Sequence, residues 1–316
     1  MKFITIVKRI IFCLIREVKS IPLTLICFFC SFMPKKFIIV SAWCKNKSLL
    51  NLRQDNLVHN NWGDDINIYF LELMSRKKVF IYPNTRFSRI FKVNKYLFIG
   101  SVLTVYPLNN TIVVGSGVLN NKISFNIQGY PKDILFVRGP LSREILLKNG
   151  INCPMCYGDP ALLLPKFYLP KSTRKFKIGL IPHYQDYKTD FISKINEEVS
   201  SHIVIIKMQG YEKWTTVIDQ ICSCDIIVSS SLHGLIVGES YNIPSYWAHF
   251  SDYIDGWNFK FYDFYYSINK RDVKPTYITN REQLWCLYDK KNEWKRGNIN
   301  TDELYEMCKK IGFINE

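Results

Sequence analysis

Glycine and proline are sparse in this chain, at 15 and 13 of 316 residues, and no block of sequence repeats. That excludes a collagen-like fibre, a flexible low-complexity chain and a solenoid. Negative charge is also short: 27 Asp and Glu face 42 Lys and Arg, for a formal charge of +15. No apolar run reaches the roughly 20 residues that a perpendicular membrane helix needs. With 47% hydrophobic and 22% charged residues, what remains is a folded enzyme or binding protein long enough for two domains.

A disulfide framework is lacking too. The ten cysteines are scattered, and Cys13, Cys27 and Cys30 fall in the apolar start. Cys153-Pro-Met-Cys156 and Cys222-Ser-Cys224 have spacings compatible with a metal, but a closed zinc site would need both pairs brought together. Cys222 and Cys224 stand just before a buried strand, where Cys serves as a small hydrophobe. The expectation is reduced structural thiols, no metal site and a cytoplasmic body.

The positive charge is uneven. Residues 1–36 hold Lys2, Lys8, Arg9, Arg16, Lys19, Lys35 and Lys36 against Glu17 alone, a net +6. At helical spacing Phe3, Ile4, Val7, Ile10, Ile11, Leu14, Ile15 and Val18 fall on one side, with Lys2, Lys8, Arg9, Arg16 and Lys19 on the other. Ser20 to Pro34 then runs without a charge. A basic and apolar start points to a membrane surface sooner than to a nucleic acid, and residues 1–36 are expected to form a monotopic anchor on anionic cytoplasmic lipid. Two alternatives compete. A helix packed on the protein's own core fits the same pattern, whereas a cleaved signal peptide is opposed by Arg16 within the first apolar run and by the lack of an A-x-A-like site.

From Phe37 onward short β-rich runs alternate with helical stretches, the pattern of an α/β fold built on parallel sheets. Phe37 to Ser41, Val79 to Tyr82, Tyr96 to Ile99, Thr111 to Val114 and Ile134 to Val137 read as strands, with helices at Asp64 to Arg76 and Leu141 to Asn149, the latter ended by Gly150. After Pro165 to Lys177 the pattern restarts. Strands are expected at Lys177 to Ile181, Ile203 to Ile206 and Ile226 to Val228, and helices at Phe191 to Val199, Tyr211 to Cys222 and Gly234 to Tyr241. The expected architecture is a membrane-associating segment (1–36), two Rossmann-like domains (37–170 and 171–279) facing a cleft, and a helical tail (280–316) that could pack back across both. The aromatic-rich stretch Tyr253 to Tyr266 reads as a strand with its core contacts and not as an acceptor site.

Four loops could carry chemistry at strand ends, where ligands of such sheets sit. Asn61-Trp-Gly-Asp64 precedes a helix that Asp64 or Asp65 could cap, and Gly63 lets a backbone approach a ligand. Gly115-Ser116-Gly117 is a small turn whose amides suit a phosphate or sugar oxygen. Arg138 follows a strand, and Gly139, Pro140 and Ser142 open a helix behind it, a good anion site unless Arg138 pairs with a neighbouring carboxylate. Ser229-Ser230-Ser231-Leu232-His233-Gly234 brings hydroxyls, amides and an imidazole to one point, with His233 the best general acid or base in the chain.

In order, Asn61-Trp-Gly-Asp64, Gly115-Ser-Gly117, Val137-Arg-Gly-Pro-Leu-Ser142, Tyr157-Gly-Asp159-Pro160 and Ser231-Leu-His-Gly234 with Ile243-Pro244 resemble the motifs of the polysaccharide pyruvyl transferase family, over about residues 55–250. The resemblance implies a GT-B-like pair of Rossmann-like domains and transfer of pyruvate from phosphoenolpyruvate to a sugar of a cell-surface polysaccharide or its lipid-linked precursor. It implies that Arg138 binds the donor's phosphate or carboxylate and that His233 is the acid/base, with no cofactor and no obligatory metal. Members often have Arg directly before Leu-His-Gly, where this chain has Ser231; Lys207 and His183 are candidates for the missing cation. A second reading is a GT-B-type glycosyltransferase using a nucleotide sugar, with Glu239 holding a ribose. A third is a non-catalytic membrane scaffold in surface-polymer assembly.

Overall fold

The structure, a computed structural model, describes residues 2–44, 61–120, 128–171, 173–197, 202–251 and 258–315. Val199 and the stretch from Tyr253 to Trp257 lie outside the described residues.

Two five-stranded parallel sheets organise the chain. The first contains β1 (Phe37–Val40), β2 (Lys78–Ile81), β3 (Lys95–Leu97), β4 (Thr111–Val114) and β5 (Asp133–Phe136), in the order β2-β1-β3-β4-β5. The second contains β6 (Phe176–Ile181), β7 (Ile203–Ile205), β8 (Cys224–Ser229), β9 (Ser245–His249) and β10 (Thr276–Tyr277), in the order β10-β9-β8-β6-β7. Counted within its own half, each sheet has the same order, 2-1-3-4-5, whose switch point lies between the first and third strands. Runs such as Phe-Ile-Ile-Val in β1 and Thr-Ile-Val-Val in β4 have few polar positions because both faces of a parallel sheet are covered. The doubling of one α/β pattern expected from the sequence is present.

Helices α1 (Lys2–Cys30), α2 (Trp62–Ser75), α3 (Pro140–Lys148) and α4 (Leu164–Phe167) belong to the first half of the chain. They are followed by α5 (Asp190–Glu197), α6 (Trp214–Cys222), α7 (Leu232–Ser240), α8 (Phe259–Ser267), α9 (Arg281–Asp289) and α10 (Thr301–Lys310). Expected helix α2 starts two residues early, since its N-cap is neither Asp64 nor Asp65 but Asn61, whose side chain accepts from the Gly63 amide at 3.2 Å. The aromatic stretch expected as a strand is instead α8. Its buried residues, Lys260, Phe261, Asp263, Phe264 and Tyr265, recur at helical spacing, and the uniform run of aromatics concealed that period. Phe261 stacks on Trp247 of β9 at 4.6 Å.

Helix α1 is one continuous helix, not an amphipathic piece followed by a separate apolar run, and part of it packs on the body. Cys27 and Cys30 are buried with Ile39, Phe80, Tyr82 and Val93. The Glu17 carboxylate accepts from the amides of Arg86 (3.0 Å) and Phe87 (2.8 Å), and Ser20 shares a hydrogen bond with Thr85. No described helix is long and apolar enough to cross a membrane.

The two halves are joined through α2. Trp62 is fully buried; its backbone amide donates to Met208 and its indole to the Trp214 carbonyl, both at 2.8 Å. Tyr211 donates to the Asp65 carboxylate at 2.7 Å. At the end of the chain, Phe313 packs edge-on against Tyr96 and Phe98, so the segment after the second sheet returns to the first. Trp62 fills this junction and hydrogen-bonds across it, so Trp62→Ala is expected to cost about 3–5 kcal/mol of unfolding free energy in urea titration; a loss under about 1 kcal/mol would show that the halves hold together without it.

Candidate active site

The cleft opens where the switch points of both sheets meet. It is a cavity of about 750 Å³ whose lining includes Asn61, Asp64, Ser101, His183, Ser231, Leu232, His233 and Lys260. Trp43 and Ser101 come from the carboxyl edge of the first sheet, and Pro182, His183 and Ser231 from that of the second. Its floor is a close approach of α2 and α7: a Cβ on Gly63 would lie 1.9 Å from His233 Nδ1. The glycine expected to admit a ligand in fact admits the imidazole from the opposite half of the chain.

A carboxyl, an ammonium and two imidazoles line this space. Burial raises the Asp64 carboxyl to about 7, against a lowering hydrogen bond from Asn61 (2.6 Å), with Asp65 raising it further and Lys260 opposing. Burial pulls the Lys260 ammonium down to about 8, aided by Arg138 and opposed by Asp64. His233 is held down to about 3 by burial first, then by the positive charges of Lys260 and Arg138. Its Nε2 is buried with no hydrogen-bond partner among the described residues. His183 falls to about 3 for the same leading reason, with Lys260 adding to it. At neutral pH both imidazoles are uncharged, Lys260 carries the positive charge, and Asp64 is divided between acid and carboxylate.

This changes the expected division of labour. A histidine held neutral down to about pH 3 has no imidazolium proton to give near neutrality, so the proton donor the cleft offers is Asp64, and His233 is a weak base whose proton affinity rises only when negative charge enters the cleft. Of the two candidates for the missing cation, His183 lines the cleft uncharged, and Lys207 is exposed in an adjoining groove that shares Gln209 with the cleft. Lys260 is a cation that lines the same cleft as Ser231. The sequence hid it inside the aromatic run, where the only signal was a lone lysine between Phe259 and Phe261.

Arg138, expected to bind the donor, is fully buried and pairs with Asp263 of α8 at 2.9 Å. Its guanidinium also donates to Ser101 Oγ (2.5 Å) and the Val118 carbonyl (2.6 Å). The same Asp263 carboxylate accepts from the backbone and hydroxyl of Ser142, at 2.8 and 2.6 Å. Gly117 leaves room for this arrangement, since a Cβ there would be 2.4 Å from Arg138 Cζ. The amides of Gly115 and Gly117 are taken by the carbonyls of Phe136 and Gly100, and Ser116 Oγ by Gly100, so this turn offers no amide cradle from those two glycines. These motifs therefore clamp α8 to the first sheet, and Lys260 sits one helical turn before Asp263.

Other expected residues also prove structural. Glu239 is buried at the far end of α7, paired with Lys270 and accepting from the Gly297 amide at 3.0 Å, too enclosed to hold a ribose. Asp159 caps a short helical turn through the Ala161 amide (3.0 Å), and burial raises its carboxyl to about 6. Ser230 donates to Asp186 (2.5 Å) and accepts from the His183 amide (2.8 Å), holding the His183 loop in place. Gly234 is packed under Ser229 and Ile181, where a Cβ would meet Ser229 Oγ at 2.6 Å. Asn61, Asp64, His183, Ser231, Leu232 and His233 are the expected residues brought together at the cleft surface, with Gly63 immediately beneath.

The profile of the polysaccharide pyruvyl transferase family matches residues 7–248. The chain belongs to that family. A curated relative, the succinoglycan biosynthesis protein ExoV of Rhizobium meliloti (strain 1021), is 25% identical over 193 residues, covering 59% of this chain and 55% of that protein. An uncharacterized protein of Acanthamoeba polyphaga mimivirus is 32% identical over 179 residues, 54% of this chain and 58% of that protein. The alignments thus span little more than half the length of either relative. Among solved structures, the wall teichoic acid polymerase TagF aligns over 94% of this chain and 91% of that one, at 12% identity with a TM-score of 0.41.

Removing one side of the clamp strands a buried charge. Asp263→Ala is expected to lose about 3–5 kcal/mol of stability, and the double replacement Arg138→Met with Asp263→Leu to recover most of it. Chemical denaturation of the three proteins checks this; equal stability of the single variant and the wild type would contradict the clamp.

Proposed function

We propose that the protein transfers pyruvate from phosphoenolpyruvate to two hydroxyls of one sugar, forming a ketal on a cell-surface polysaccharide or its lipid-linked precursor, at the cytoplasmic face of the membrane. The observation that carries the reading is the cleft itself, which gathers a carboxyl raised to about 7, an imidazole held neutral and a buried lysine in a chain of this family.

In the proposed sequence Asp64 gives its proton to the methylene carbon of the enol, leaving an oxocarbenium-like centre at the neighbouring carbon. A sugar hydroxyl attacks that centre and gives its proton to His233. Phosphate leaves with the electrons of its C–O bond, and the second hydroxyl closes the ketal. Of the two hydroxyl protons, one restores Asp64 and the other leaves with phosphate, so the balance is phosphoenolpyruvate plus diol to ketal plus phosphate. Lys260 holds the anionic donor, and its burial strengthens that attraction.

The nucleotide-sugar alternative loses its ribose ligand, since Glu239 is enclosed. Thermal-shift measurements against phosphoenolpyruvate and a panel of nucleotide sugars are expected to show stabilisation by phosphoenolpyruvate, lost in Lys260→Met. Stabilisation by a nucleotide sugar alone would replace this reading, and stabilisation by neither would favour the scaffold.

The pH dependence has a defined sign. Asp64 must be protonated, so kcat/KM falls as pH rises through about 7, while His233 stays uncharged throughout the neutral range. Asp64→Asn and His233→Ala are each expected to lose roughly 10²–10⁴ in kcat with the fold intact by circular dichroism. Near-normal turnover in either variant would remove that residue from the mechanism.

A further inference from the structure

Helix α1 crosses the first sheet antiparallel to β1 and β2. Its carboxyl end turns into the start of β1, while Glu17 and Ser20 bind Arg86, Phe87 and Thr85, just past the carboxyl end of β2. The half of α1 before Glu17 therefore extends beyond the sheet edge at which the cleft opens. The docked face is a single line, Glu17, Ser20, Thr24, Cys27 and Cys30, at three- and four-residue spacing.

A second line runs along the opposite side of the same helix. Ile11, Leu14, Ile15, Val18, Leu25 and Phe29 are between 37% and 63% exposed, and Phe32 continues the line at 69%. From Ile11 to Phe29 the stripe is about 27 Å long. Lys19 flanks it at helical spacing, and Lys35 and Lys36 are exposed just past its end, while Arg16, also exposed, falls on the other side of the helix. Glu17, the lone carboxylate of residues 1–36, is held by the two backbone amides beside Arg16 on the docked side, so Lys19, Lys35 and Lys36 leave the segment with a net positive charge. A second copy of the chain would bring the same cations against these ones; a surface of anionic headgroups over acyl chains complements both the charge and the apolar stripe.

We propose that this face of α1 lies in the headgroup region of an anionic bilayer and holds the enzyme on its surface, with the cleft edge beside the lipid. The inference deepens the membrane placement proposed above and needs no assumption about the donor. It reconciles the two readings of the amino-terminal segment: one face packs on the protein and the opposite face on lipid.

The test is co-sedimentation of the full chain with vesicles of phosphatidylglycerol and phosphatidylcholine, against vesicles of phosphatidylcholine alone. Binding is expected to the anionic vesicles, to weaken in about 0.5 M salt, and to fall about tenfold or more in the triple variant Leu14→Ser, Val18→Ser, Phe29→Ser and in the charge variant Lys19→Glu, Lys35→Glu, Lys36→Glu. These positions are exposed, and an unchanged thermal transition shows that the fold is kept. Equal sedimentation of wild type and triple variant, or none by the wild type, overturns the proposal. So does a wild-type dimer in light scattering that the triple variant dissociates while neither protein sediments with vesicles. Turnover on a water-soluble acceptor is unaffected by any of these outcomes, so the transferase reading stands or falls separately.

Discussion

The backbone of Gly63, at the start of α2, lies directly under the imidazole of His233, on the first turn of α7. No side chain fits between them, and the rest of the site follows from this contact. It brings the amino ends of two helices, one from each sheet, to the same point. It also fixes α2 against the second half, where Trp62 and Asp65 hydrogen-bond with Trp214 and Tyr211. Asp64, His183, His233 and Lys260 are each burdened first by desolvation, and that shared penalty sets the protonation states. The carboxyl is held partly protonated and the histidines are held neutral.

The cation arrives by a longer route. Lys260 stands on α8, which follows the last long strand of the second sheet yet is clamped to the first by the ion pair of Arg138 with Asp263. Closing the cleft and delivering its lysine are thus one structural act. A buried ion pair seldom adds much net stability over a well-packed apolar pair, but it penalises any arrangement in which its partners are separated. Here Asp263 joins α8 to Arg138 and to Ser142 at the start of α3, one helical turn after Lys260.

Much of the architecture was legible in the chain, because parallel strands covered on both faces leave unbroken apolar runs and their helices leave caps. Five motifs at the strand ends led to the family. Their individual roles were less legible. Gly115, Gly117, Arg138 and Ser142 read equally well as an anion cradle or as the seat of a buried ion pair, and nothing within 120 residues of Arg138 announces Asp263 as its partner. Lys260 was hidden because aromatic residues satisfy the periods of strand and helix alike. Asp64 was visible as a candidate, but its raised pKa depends on burial by residues distant in sequence. The amino-terminal segment showed its charge and its apolar character, but not that Glu17, Ser20, Thr24, Cys27 and Cys30 would dock on the first sheet and leave the apolar residues opposite them exposed.

The junction of the two halves keeps His233 uncharged across the neutral range. The most direct measurement is the titration of its ring resonances in protein labelled with ¹³C and ¹⁵N at histidine, assigned by comparison with His233→Ala. The account predicts a neutral imidazole with unchanged shifts from pH 8 down to the acid limit of folding, in keeping with a pKa near 3. Protonation with a midpoint near the ordinary histidine value of about 6.5 would contradict it.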